Sequence, residues 1–148
     1  MARNDWVTFE EYGKDVMDGA HNHDSDTFKV GLIDNSTPPT AADASPTWSD
    51  YSGNEVSGTG YTAGGATLSG TSTAEAAGVT TFDDTGNVTW SQNGAGPTNV
   101  YWAVLYNDTA ASDQAVGFLD MGGPVSLQDG DISITWNASG ILTTTVTA

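Results

Sequence analysis

Two histidines and two aspartates crowd a six-residue stretch at His21, His23, Asp24 and Asp26, giving the pattern H-x-H-D-x-D. Imidazole nitrogens with carboxylate oxygens suit Zn²⁺, and the oxygens alone suit Ca²⁺. The spacing selects neither ion: no distant third His or Cys completes a zinc site, and no D-x-D-x-D-G loop follows. These four residues are the metal candidates, a solvated turn is the plain alternative, and no cofactor is expected. Nucleophilic catalysis lacks its parts, because there is no Cys, no G-x-S-x-G elbow, and both His share one turn. With 19 Asp and Glu residues some carboxylate pair always falls at a glycosidase-like distance, so such a pair carries no information. Gly58-Thr59-Gly60 is followed neither by G-K-[ST] nor by a helix-opening pattern, and does not read as a phosphate cradle. No catalytic residue is assigned, and the chain is expected not to be an enzyme.

Charge narrows the partners further. Three Lys and Arg against 19 acids give a formal net charge of -16, which repels phosphate backbones and anionic lipid surfaces, so neither nucleic acid nor membrane is an expected partner. No apolar run approaches the roughly 18 residues of a membrane span. The opening MARNDWVTFEEYG has acids where an export signal needs an apolar stretch, and Sec export is not indicated. Without Cys, stability must come from packing and assembly rather than from disulfides. At 148 residues one domain is expected, able to bury roughly 68–70% of its unfolded surface.

The elements follow from periodicity. Thr8 and Glu11 have the spacing of a capping box, and Phe9, Tyr12 and Val16 fall on one stripe, predicting a short helix over 9–18 within an N-terminal segment, 1–26. From residue 27 to 148 the pattern is that of a β domain. Phe28, Val30 and Leu32 alternate with Lys29 and Gly31 as a half-buried strand over 27–34. Further strands are predicted at 66–72, 79–82, 87–91, 100–106, 115–120, 132–136 and 142–146, separated by Gly, Asp, Asn and Pro turns. The fold class is therefore all-β, an antiparallel β-sandwich, jelly-roll-like, with a short N-terminal helix and one long loop. That loop, 35–53, holds Pro38, Pro39, Pro46, Trp48 and Tyr51. Loops beyond about 12–15 residues are usually functional or disordered. Phe9, Tyr12, Pro38, Pro39, Pro46, Trp48, Tyr51 and Tyr61 are accordingly the interface candidates, the alternative being that the loop aromatics close the open end of the sandwich.

Several phrases of the sequence carry a resemblance to a known family: NEVSGTGYTAGGATLSG at 54–70, VTTFDD at 79–84, NVTWS at 87–91, VYWAVLYNDTA at 100–110 and ITWNASGILTTT at 134–145. With these the chain, from residue 27 onward, resembles the capsid decoration (cement) proteins and related small virion structural proteins of tailed bacteriophages. The resemblance implies a protein made in the host cytoplasm and carried on the capsid exterior, where it bridges major capsid protein subunits, with self-association as a trimer. A glycan- or receptor-binding module on the virion surface, using Trp48, Tyr51 or Tyr61, and a tail or neck component are the alternatives.

Overall fold

Phe28, Val30 and Leu32 do build a strand, but it is covered on both faces. In the computed structural model, which describes residues 5–147, β2 (Phe28–Ile33) lies in an antiparallel five-stranded sheet. Its spatial order is β1 (Trp6–Thr8), β8 (Ala115–Val125), β7 (Val100–Asn107), β2 and β3 (Ala66–Thr67). A second layer comprises a three-stranded sheet ordered β10 (Leu142–Thr145), β5 (Val79–Asp84), β4 (Thr71–Ala76), and the pair β6 (Val88–Trp90) with β9 (Ile132–Ile134). Between the layers Phe28, Val30, Leu32, Leu105 and Leu119 meet Phe82, Val88, Trp90, Ile132, Ile134 and Leu142. The fold is an all-β antiparallel sandwich.

The outer face of the five-stranded sheet has a smaller core of its own. Ile33, Val104, Tyr106 and Phe118 of the sheet pack beneath Phe9, Trp48 and Tyr51. Strands buried on both faces read as almost continuous apolar runs, which is why VYWAVLYN in β7 lacks a clean alternation. Gly31 makes room for this cover. A Cβ at Gly31 would lie 2.2 Å from the Trp48 ring, and the indole that fills the slot stacks on Tyr106 with centroids 4.8 Å apart and planes 4° from parallel.

Two expectations are corrected here. The helix α1 spans only Tyr12–Met17, with Glu11 at its N-cap and no side-chain cap bond. Thr8 ends β1 instead, and its Oγ1 accepts the Trp6 Nε1–H at 3.1 Å. The strand bonding continues into Phe9, whose N–H donates to the Val116 carbonyl at 3.2 Å, and so the helix cannot begin there. Val16, placed on the docking stripe by spacing, is 40% exposed. The segment 35–53 is likewise no free loop: it contains α2 (Trp48–Tyr51), started by a Thr47 N–H bond to the Asp50 carboxylate at 2.8 Å, and runs into a 3-10 turn, Ser52–Asn54. Apolar anchoring of α2 in the second core supplies the stability that a helix of this length lacks alone.

The strand expected at 66–72 divides into β3, which pairs with β2, and the start of β4. Residues 73–76, absent from the sequence reading of strands, complete β4, which turns into β5 through Ala77 and Gly78, both at positive φ (54° and 81°). A two-residue connection with that geometry is the type I′ hairpin turn, whose twist matches that of its strands. Gly65, also at positive φ, sets its Cα against β2 so closely that a Cβ would fall 1.9 Å from the Val30 carbonyl oxygen. The Gly-rich run therefore seats the chain against the sheet.

Candidate functional site

Burial separates the interface candidates into two sets. Phe9, Trp48 and Tyr51 are 2%, 8% and 2% exposed, and Pro39 and Pro46 are buried with them. Phe9, Trp48 and Tyr51 close the second core of their own domain. The Tyr51 hydroxyl donates to the Asp43 carboxylate at 2.7 Å, Thr40 N–H adds a bond to the same carboxylate at 3.0 Å, and the Pro46 carbonyl accepts the Ala115 N–H at 2.9 Å. Tyr61 is half-buried, its hydroxyl accepting the Leu32 N–H at 2.9 Å and donating to the Glu55 carboxylate at 2.7 Å. Tyr12 is half-buried against the histidines described next. Of the eight candidates only Pro38 is fully exposed.

Among the described residues no group of three or more His, Asp or Glu is placed to hold an ion. The His21 and His23 rings point into the apolar layer. His23 sits 4.6 Å from Phe82 and 5.1 Å from Phe28 by ring centroids, and His21 stacks on Tyr12 at 5.7 Å. Asp24 stays exposed. Asp26 instead accepts from the fully buried Asn107, whose amide nitrogen lies 2.7 Å from Asp26 Oδ2, 3.1 Å from the Ala20 carbonyl and 3.2 Å from His21 Nδ1. His21 Nδ1 thus faces the Asn107 amide, and its Nε2 is buried with no partner among the described residues.

Burial pushes His21 down to about 4, helped by nearby His23 and opposed by Asp26. His23 moves the same way by burial, again against Asp26. The folded chain thus holds these rings neutral, while the unfolded chain protonates them near 6.5. Their contribution to stability is complete above about pH 6.5 and drains as the pH falls toward 4. Urea unfolding at pH 7 and pH 4.5 should show the pH-dependent loss shrink by about 2–3 kcal/mol in the double variant His21→Gln, His23→Phe. An equal loss in both proteins would mean that the rings are solvated.

The chain's uncovered surface lies elsewhere. Beyond Phe82, Asp84 and Leu142, which reach the core, the sheet β10–β5–β4 extends outward as an arm. Residues 72–76 of β4, Thr80 of β5 and residues 143–146 after Leu142 are exposed and Val79 and Thr81 are half-buried, so the described residues leave most of its distal half uncovered. Glu75 is the only charged side chain in 71–82, and 142–147 has none. The two lysines among the described residues are already engaged, Lys29 with Asp108 at 2.8 Å and Lys14 with Asp18 at 2.6 Å.

A second feature is an open groove of about 790 Å³ between β1, β9 and β10, lined by Trp6, Leu119, Ser133, Trp136, Asn137 and Thr143 among others. Trp6 and Trp136 meet edge to face at 5.9 Å, and Trp136 Nε1 is buried with no acceptor among the described residues. Sequence reasoning placed Trp136 at the end of the strand predicted over 132–136, and gave no sign that Trp6 would come to meet it from the other end of the chain. No helix among the described residues is long and apolar enough to cross a membrane. No family model, curated protein or solved structure matches this chain.

Proposed function

We propose that this is a phage virion structural protein that decorates the capsid exterior and bridges major capsid protein subunits, without catalysis. One observation carries an assembly role: a three-stranded sheet whose distal half is largely uncovered by the described residues and nearly uncharged, in a chain of net charge -16. A sheet with no core beneath it gains its buried area only from another molecule. The similarity of the sequence phrases to decoration proteins supplies the phage context. Bound copies would act by mass action, adding the same contact at many equivalent sites of the shell and so stabilising the assembled over the disassembled state. The contact is assigned to the arm, since the N-terminal segment and the 35–53 segment are used within the domain.

Quantifying the chain in purified particles tests this. A molar amount comparable to the major capsid protein is expected, together with co-sedimentation of added protein with capsids, weakened by Ala74→Glu with Thr80→Glu on the arm. Absence from particles, or a few copies only, would overturn the capsid reading and favour a tail or neck position in the second case.

The Trp6 and Trp136 groove favours a second reading, binding of a neutral surface glycan. Indole rings beside hydroxyl and amide groups are suited to stack on and hydrogen-bond a sugar. Specific signals on a glycan array, lost with Asn137→Ala, would support it.

A further inference from the structure

The outer edge of β4 is a hydrogen-bonding ladder on which no strand of the described residues lies. β4 is the last strand of its sheet and pairs with β5 without a register break from Thr71↔Asp84 to Ala76↔Val79. In antiparallel pairs, residues that exchange bonds alternate with residues that do not. Thr85 N–H donates to the Gly70 carbonyl at 3.2 Å, which fixes the parity: Gly70, Ser72, Ala74 and Ala76 bond toward β5. The two-residue turn requires the same, because Ala76 and Val79 close it. Thr71, Thr73 and Glu75 therefore direct their N–H and C=O groups outward.

We propose that this edge pairs antiparallel with β4 of a second copy of the chain, joining two three-stranded arms into one six-stranded sheet across a two-fold axis. The inference goes beyond the capsid reading and does not depend on it. Parity and charge together select the register. Outward-facing residues must oppose outward-facing residues, so an axis through Thr73 places Thr73 against its mate and Thr71 against the mate's Glu75, using all three outward positions. Shifting the axis to Glu75 would set two carboxylates face to face, which is unfavourable. In the chosen register the β-branched threonines oppose each other, a favourable cross-strand pair.

What is missing from β4 points the same way. Edge strands that stay unpaired usually carry Lys, Pro or a bulge, whereas TSTAEA has neither residue and its pairing to β5 is unbroken. The choice of a second copy rests on self-complementarity, since about Thr73 each outward group of the edge meets an outward group of its own copy with no carboxylates facing. Two chains of net charge -16 repel over most of their surfaces, and this nearly uncharged edge is where the repulsion is least. Screening over about 8–10 Å should then strengthen the pairing as salt is added.

Sedimentation equilibrium on the purified chain tests the proposal. A monomer–dimer equilibrium is expected, with the mass rising from 15.3 kDa toward twice that value with concentration and more readily at higher NaCl. Thr73→Pro deletes an outward N–H and leaves the bonds to β5 in place, as proline on a free edge allows. It should weaken dimerisation at least about tenfold with an unchanged melting temperature. In case that variant disturbs the hairpin, Thr73→Cys provides a separate reading, since the chain has no other Cys. Opposed residues at the axis have Cα atoms about 5.5 Å apart, within disulfide reach. Mild oxidation should yield a covalent dimer from Thr73→Cys and not from Thr80→Cys. A monomer at all concentrations and salts, a dimer indifferent to Thr73→Pro whose Thr73→Cys form does not cross-link, or a trimer mass would each overturn the two-fold β4 pairing.

Discussion

Gly31→Val should destabilise the chain by about 3–5 kcal/mol and lower its melting temperature by roughly 10–20 °C. A Cβ at this position comes within 2.2 Å of the Trp48 ring, and Trp48 cannot retreat, because it lies on Tyr106 at 4.8 Å. Valine must therefore expel the indole, and with it the cover over Ile33, Val104 and Phe118. The double-mutant cycle is diagnostic. Trp48→Ala alone should lose a similar amount through the cavity it leaves, and Gly31→Val added to it should cost little more, since the obstacle is gone. Additive losses would show that the valine acts on the strand itself.

Asn107→Asp should lose about 3–4 kcal/mol at neutral pH, out of proportion to the exchange of one amide nitrogen for oxygen. Asn107 is fully buried and works from both ends of its amide: the nitrogen donates toward Asp26 and Ala20, and the oxygen accepts the Thr109 and Ala110 N–H groups at 3.0 and 3.2 Å. A carboxylate keeps the second function, forfeits the first, and faces Asp26 with a like charge. Because protonating either acid relieves the repulsion, the deficit against the native chain should narrow as the pH is lowered toward 4. Denaturant midpoints at the two pH values decide it, and a loss under 1 kcal/mol at pH 7 would mean that water reaches the site.

These two residues also mark the limits of what could be read from the sequence. Strands appeared where alternation or a long apolar run announced them, as at Phe28, Val100 and Leu142, because period two is a local property. Gly31 and Trp48 belong to a contact between distant segments, and a tryptophan in a proline-bearing stretch looks the same whether it covers its own sheet or another protein's. The same ambiguity made Phe9 and Tyr51 interface candidates. His21 and His23 were legible as donors and not as ring-stacking residues, since their orientation is set by Phe28, Phe82 and Asn107. β1 was missed because three residues are too few to show a period, and the end of β4 because Ala, Glu and Gly belong to turns and helices as readily as to an exposed hairpin.

The strand order carries a consequence for biosynthesis. Phe28 pairs with Asn107 and Trp6 with Leu119, so the earliest-made strands of the central sheet wait for the last third of the chain to leave the ribosome. At about 5–20 residues per second that interval is several seconds, during which β2 has only the two-residue β3 to pair with and an apolar ribbon is open to capture by chaperones. Folding of the sheet is then a late event governed by long-range closure, and nascent chains stalled before Val100 should remain protease-sensitive however much time they are given.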